Sequence, residues 1–229
     1  MPWDAPSVEL HSMEIEEYSI DMPPVNLDPA ARRPTLREER AAVTRRRILD
    51  AARHRFFEGG YAATTLKAVA EEAGVAVQTV YAVFGSKAAI LAELRALVVD
   101  LPEADTAFRD AMAASTAEPR LRRFARSIRL RWELAGDIVK VHQDAVRVDA
   151  SLRPGIAAAD ARRHGGIAAF VRGIQADLGA RIDVDRSIGV VNALTLYAVY
   201  EELISVQGWT PDAYEAWLAD ALVAGVVGG

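Results

Sequence analysis

Within eight residues the chain sets Gln78, Thr79 and Tyr81 among the apolar Val77, Val80 and Phe84. That mixture suits a short helix with one face against its own protein and the other against a polar partner. A glutamine amide can donate to and accept from the edge of adenine at once, and the methyls of Val77 and Thr79 can meet thymine methyls. Each good pair of this kind gives roughly 1–3 kcal/mol of base discrimination. Upstream, Arg45, Arg46 and Arg47 form a basic run that either grips backbone phosphate or is simply solvated. This is recognition chemistry rather than bond-making chemistry. The four histidines, His11, His54, His142 and His164, show no metal-ligand spacing, no G-x-S-x-G nucleophile motif occurs, and no Gly-rich phosphate loop follows a strand. Cysteine is absent, which removes disulfides and thiolate zinc sites. The expectation is therefore a protein without enzymatic activity, metal or cofactor.

A reading face of eight residues works only if other elements hold it rigid. Thr65 stands before Leu66, Val69, Ala70 and Ala73, a helical stripe whose first turn a threonine hydroxyl can cap. Gly74 allows a tight turn, and the helix Val77 to Phe84 stops at Gly85. Ahead of these, Ile48, Ala51, Ala52 and Phe56 recur at helical spacing before Gly59 and Gly60. Two short helices joined at a glycine turn, braced by a third, can lay one helix into the roughly 12 Å major groove of DNA.

Charge is distributed to match. Although the net charge is -5, residues 1–31 hold seven acids and no Lys or Arg, whereas residues 32–88 hold eleven basic and six acidic residues. Only that second segment is positive, as a polyanion-binding region requires. Residues 1–35, acidic and rich in proline, are expected to be a disordered extension. Residues 36–86 form the helix-turn-helix domain, and residues 87–229 a larger helical domain. No long uncharged apolar run or secretory pattern occurs, so the chain reads as soluble, cytoplasmic and without a membrane partner. Beyond Ser86 the helices expected are Lys87 to Leu101, Glu103 to Ala117, Arg120 to Ala135, Ile138 to Ala150, Gly155 to Leu178, Val184 to Gln207 and Asp212 to Val223. The class is all-α.

The stretch from Thr44 to Leu94 resembles the DNA-binding domain of the TetR family of bacterial transcriptional regulators nearly end to end. The markers are Phe56, Gly59 or Gly60, Tyr61, Thr65, the A-G-V turn at Ala73 to Val75, the T-V-Y of Thr79 to Tyr81, Phe84 and Lys87. The resemblance implies that Thr65, Lys67 and Lys87 touch phosphates, that Val77, Gln78 and Thr79 face bases, and that the Tyr81 hydroxyl meets phosphate. The competing reading makes Tyr81 ordinary packing and Lys87 a surface lysine after a serine cap. Ala76 departs from the family's usual serine, which removes a cap worth about 1 kcal/mol.

The larger domain matches less strongly. Leu196 to Leu222 resembles the two C-terminal helices of many TetR-type regulators, which pair with their copies across a two-fold axis. That resemblance implies a homodimer on a palindromic double-stranded operator, with Leu194, Glu201, Ile204, Tyr214, Trp217 and Leu218 at the interface. The broad apolar faces alone fit an intramolecular core as well. For an unknown small, largely apolar effector that releases a repressor from DNA, the polar candidates within apolar helices are Arg131, Trp132, His142, Gln143, Asn192 and Tyr197. The alternative is a helical binding or scaffold protein that retains the motif without regulating transcription.

Overall fold

The computed structural model describes residues 35–98, 101–178 and 182–228, and the acidic N-terminal segment through residue 34 lies outside them. Every regular element among the described residues is helical, so the chain is all-α, with a small N-terminal helical unit joined to a larger helical one. The first helix, α1 (Leu36–Gly59), starts at a reciprocal cap. The Thr35 N–H donates to Glu38 Oε2 at 2.7 Å and the Glu38 N–H to Thr35 Oγ1 at 3.3 Å, satisfying two of the backbone donors a helix start leaves open. The short helices α2 (Leu66–Ala73) and α3 (Val77–Phe84) follow, then α4 (Lys87–Leu97), which the Ser86 hydroxyl caps.

The second unit is built on α6 (Ala117–Ala145). Leu121, Phe124, Ala125, Ile128, Trp132, Ala135, Ile138 and Val139 form its buried stripe, flanked by α5 (Pro102–Met112), α7 (Arg153–Leu178) and α10 (Pro211–Val227). Burying one apolar stripe against several neighbours is the main drive for such an assembly. Two helices were expected over Arg120 to Ala150, broken at Gly136, but α6 runs through. Gly136 is there for packing, since a Cβ on it would lie 2.9 Å from Cδ2 and 3.1 Å from Cζ of Tyr197, and closer still to Cε2.

The long helix expected over Val184 to Gln207 is divided instead into α8 (Val184–Leu194), α9 (Tyr197–Glu201) and a wider π turn, Glu202–Val206. The buried Thr195 explains the division locally, because its hydroxyl donates back to the Val191 carbonyl at 2.7 Å and accepts from Arg163 at 2.8 Å. A threonine that bonds the preceding turn in this way bends a helix.

Two contacts lock the small unit to α6. Arg53 on α1 donates from Nε and Nη2 to the two carboxylate oxygens of Asp137, at 2.6 and 2.7 Å, and from Nη2 to the Leu134 carbonyl at 2.7 Å. Beyond the other end, the Tyr61 hydroxyl donates to Asp149 Oδ2 at 2.8 Å. Burial and the Asp149 charge both raise the Tyr61 pKa, and the hydroxyls of Ser151 and Tyr61 lower that of Asp149, so the bond joins a neutral phenol to a carboxylate.

Candidate nucleic-acid interface

The turn between α2 and α3 fixes how the reading face stands. Gly74 takes φ 64° and ψ 42°, a left-handed conformation that glycine adopts at little cost. Its N–H bonds the Glu71 carbonyl at 3.2 Å while the Val75 N–H bonds the Ala70 carbonyl at 3.0 Å, closing α2 with the paired bonds of a glycine-stopped helix. At the other end of α2 the Thr65 hydroxyl accepts from the Ala68 N–H at 3.1 Å. Val80 is the buried residue of α3, in the same core as Ile48, Phe56, Val69 and Ala73. The bracing helices thus grip one side of α3 and leave the other free.

That free side carries Gln78 and Tyr81, both exposed, with Val77 and Thr79 half-buried at its margin. Tyr81 is 56% exposed, so it is not a packing residue of this protomer. It borders an open cleft of about 520 Å³ that is also lined by Thr65, Ser86, Lys87 and Asp149. The N-termini of α2 and α4 therefore share one cleft with the Tyr81 ring, a placement in which backbone N–H groups and helix dipoles favour an anion. Ala76 makes no side-chain cap for α3, in keeping with the missing hydroxyl.

Two of the cations expected at phosphates are differently employed. Arg45 forms a bidentate pair with Glu93 of α4 and lies 4.6 Å over the Phe84 ring. Its guanidinium ties α1 to the end of α3 and to α4. Lys87 donates to the Tyr61 carbonyl at 2.8 Å and the Ala62 carbonyl at 3.3 Å, with its ammonium 4.6 Å above the Tyr61 ring. It closes the connection between α1 and α2 and does not stand as a free cation. Lys67 stays exposed, with only Glu71 nearby at 3.9 Å.

Arg47, third in the basic run, stands out instead. Its Nη2 lies 2.6 Å from where a Gly74 Cβ would be, so its guanidinium covers the α2–α3 turn, beside the reading helix. Helical phase carries the signal: Arg45 and Arg47 differ by about 200° around α1 and cannot share a face.

The proposed interface and effector residues are dispersed. Tyr214 and Leu218 have 0% exposure within one protomer, so they belong to its own core and have no surface to offer a partner. Glu201 is ion-paired with Lys140 of α6, whereas Leu194, Ile204 and Trp217 keep part of their apolar surface open. Among the effector candidates, Gln143 is exposed on the outside of α6, which takes it out of any interior site. Arg131 bonds the Val98 carbonyl and Asp105, and Asn192 bonds Arg163 and the Ile188 carbonyl. Trp132 and Tyr197 meet edge to face at 5.6 Å, with the Trp132 indole N–H unpartnered. Burial and neighbouring acids push the Tyr197 pKa up to about 12. His142 is buried, and burial and the Arg95 charge hold its imidazole below the usual histidine value.

Residues 48–94 match the family model for bacterial regulatory proteins of the tetR family. The N-terminal unit is a TetR-family domain. Solved structures share the fold over about four fifths of the chain, small unit and helical body together. PfmR, a TetR-family transcriptional regulator from Thermus thermophilus, has 22% identity and a TM-score of 0.60, over 78% of this chain and 98% of that one. The transcriptional regulator FadR from Bacillus subtilis, in complex with stearoyl-CoA, has 20% identity and a TM-score of 0.63, over 79% and 98%. A protein from Saccharomonospora viridis assigned as a transcriptional regulator, in complex with choline, has 25% identity and a TM-score of 0.65, over 81% and 98%. No curated protein sequence matches the chain. Among the described residues no single helix is long and apolar enough to cross a membrane, and no group of three or more His, Asp or Glu side chains is placed to hold a metal ion.

Proposed function

We propose that the protein is a cytoplasmic, homodimeric transcriptional repressor that reads a palindromic DNA operator with α3 and releases it when a small molecule enters the helical domain. One observation carries this reading: α3 is held by its Val80 side while Gln78 and Tyr81 face outward beside the cleft that the starts of α2 and α4 share. Gln78, Val77 and Thr79 contact base edges. Thr65, Lys67, Arg47 and the Tyr81 hydroxyl contact phosphate. One such helix buries too little surface for useful specificity, and a two-fold pair one helical turn apart supplies it. Leu194, Leu196, Ile204, Val206 and Trp217 supply the apolar surface for pairing, all of it left partly open in the single chain. Release by a small molecule is supported by the stearoyl-CoA and choline complexes of proteins with this fold.

The test is selection of bound fragments from the host genome, followed by gel-shift titration of the selected site over a range of salt concentrations. A symmetric site, bound by a dimer with strong salt dependence and weakened by Gln78→Ala at one base position per half-site, is expected. Equal affinity for scrambled and selected sequences refutes specific reading. A helical scaffold that merely kept the motif gives that result.

A further inference from the structure

The helices α4, α6, α7 and α8 bring together basic side chains that neither α3 nor the C-terminal helices use. Arg95, in the last turn of α4, is half-buried and makes no hydrogen bond or ion pair with any described residue. It lies within the fields of Asp160 and Arg162 on α7 and of Arg131 on α6. Arg131 is committed to the Val98 carbonyl at 2.9 Å and Asp105 at 2.8 Å. Arg163, which also feels Asp160, is committed to Asn192 Oδ1 at 3.1 Å, the Asn192 carbonyl at 2.6 Å and Thr195 Oγ1 at 2.8 Å. Among the described residues two carboxylates, Asp105 and Asp160, stand against these four arginines, so positive charge is in excess among them.

Within the field of Arg95, His142 on α6 is 3% exposed and its Nδ1 has no hydrogen-bond partner. Its Cε1 faces Gly155 near the start of α7, 3.8 Å from where a Cβ would be. An unmade bond on a buried imidazole is costly and rare enough to need an explanation. An arginine at a helix C-terminus offsets the helix dipole, but solvent exposure would serve that purpose. It does not account for a guanidinium drawn in toward other arginines and an unpaired ring.

We infer that Arg95 and His142, with Arg162 adding charge, form the head-group site for an effector bearing one anionic group, a carboxylate or phosphate, on an apolar body. The guanidinium of Arg95 takes the anion and the Nδ1–H tautomer of His142 donates to it. Such an anion restores the missing charge balance and fills the unmade bond together. This assignment deepens the reading of the helical domain as an effector-binding domain and rests on it.

The test uses the full-length protein and a panel of straight-chain and aromatic monocarboxylates and their phosphate-ester counterparts, each paired with its neutral amide or alcohol, with choline as a cationic control. Thermal shift and calorimetry are read on wild type, Arg95→Met and His142→Gln. At least one acid or phosphate ester should stabilise the protein where its neutral partner and choline do not, and Arg95→Met should weaken its binding at least about tenfold. Without ligand, Arg95→Met should change the melting temperature little, because Arg95 makes no hydrogen bond or ion pair with any described residue. The inference is overturned if no anion in the panel stabilises, if the neutral partners bind as well, or if anion affinity survives Arg95→Met. A gel shift on the selected operator separates this result from the wider reading. An anion that binds through Arg95 without releasing DNA upholds the site and refutes effector-driven release, whereas DNA released by a neutral molecule or by choline, with no anion bound, does the reverse.

Discussion

Replacing Gly136 by alanine tests the packing of the C-terminal helices on α6, because two effects of opposite sign meet there. In a helix interior, glycine to alanine normally stabilises by about 1 kcal/mol through backbone entropy and propensity. At Gly136 the added Cβ would stand 2.9 Å from Tyr197 Cδ2 and 3.1 Å from Cζ, and real Cβ atoms do not approach ring carbons closer than about 3 Å. The ring cannot simply swing aside, since Trp132 meets it edge to face at 5.6 Å and Tyr200 lies 6.2 Å away. Overpacking of this kind costs about 1–3 kcal/mol, and disturbing the Trp132–Tyr197 pair adds about 0.5–1.5 kcal/mol. The clash wins, leaving a net loss of about 1–3 kcal/mol, or roughly 2–12 °C in Tm for a chain of this size. Gly165→Ala on α7 is the control, because nothing lies within 4 Å of its added Cβ. It should gain about 1 kcal/mol. Urea denaturation of both variants, and of Gly136→Ala combined with Tyr197→Ala, measures the difference. The truncated ring should abolish the penalty in the double variant. If Gly136→Ala stabilises as much as Gly165→Ala, then α6 and α9 are not packed as described.

The uncapped start of α3 predicts that Ala76→Ser stabilises the protein by about 1 kcal/mol, seen as a raised denaturation midpoint; an unchanged midpoint refutes the open cap. Arg47→Ala should weaken binding to all DNA sequences and reduce the slope of log affinity against log salt by about one per protomer, while Arg45→Ala should act mainly on stability by freeing Glu93, so equal salt slopes for the two refute this division. His142, held below its ordinary pKa by burial and by Arg95, takes its proton more readily unfolded than folded. Its contribution to stability is complete above about pH 6.5 and is lost as pH falls through the folded value. Denaturation at pH 7.5 and 5.0 should show a smaller difference for His142→Gln than for wild type, and identical differences would refute the burial argument.

Features decided by neighbouring residues were legible in the sequence. Thr65 before an apolar stripe, Gly74 at a turn and the missing hydroxyl at Ala76 each depend on backbone groups within four residues. The intramolecular partners of Arg45 and Lys87 are distant in sequence, Glu93 at 48 positions and the Tyr61 carbonyl at 26, and no local pattern announces such a pairing. Periodicity has the same blind side at the C-terminus. It marks Tyr214 and Leu218 as apolar-facing but not which body they face, and α10 turns them into its own protomer. Gly136 shows the converse error, where a residue that usually breaks a helix marks the point at which another chain segment comes closest.

The position of α6 gives the separate parts a common element. Asp137 holds α1 through Arg53, His142 lies five residues on, and Asp149, just past the end of α6, holds Tyr61. Tyr61 in turn carries the Lys87 ammonium that closes the α1–α2 connection. His142 therefore lies between the two points where the TetR-family domain is fastened to the helical body. Packed interiors do not absorb a new group by compressing, so a change at His142 is passed to the helices packed around it. Beside these polar fastenings, Phe56, Leu91 and Leu94 share a buried apolar core with Ile138 and Val141 of α6, so α1 and α4 are tied to α6 by packing as well as by charge. A rotation of α1 and α4 as a body on α6 would move α3 with them and leave its own contacts, Val80 in the core and the Gly74 turn, unchanged.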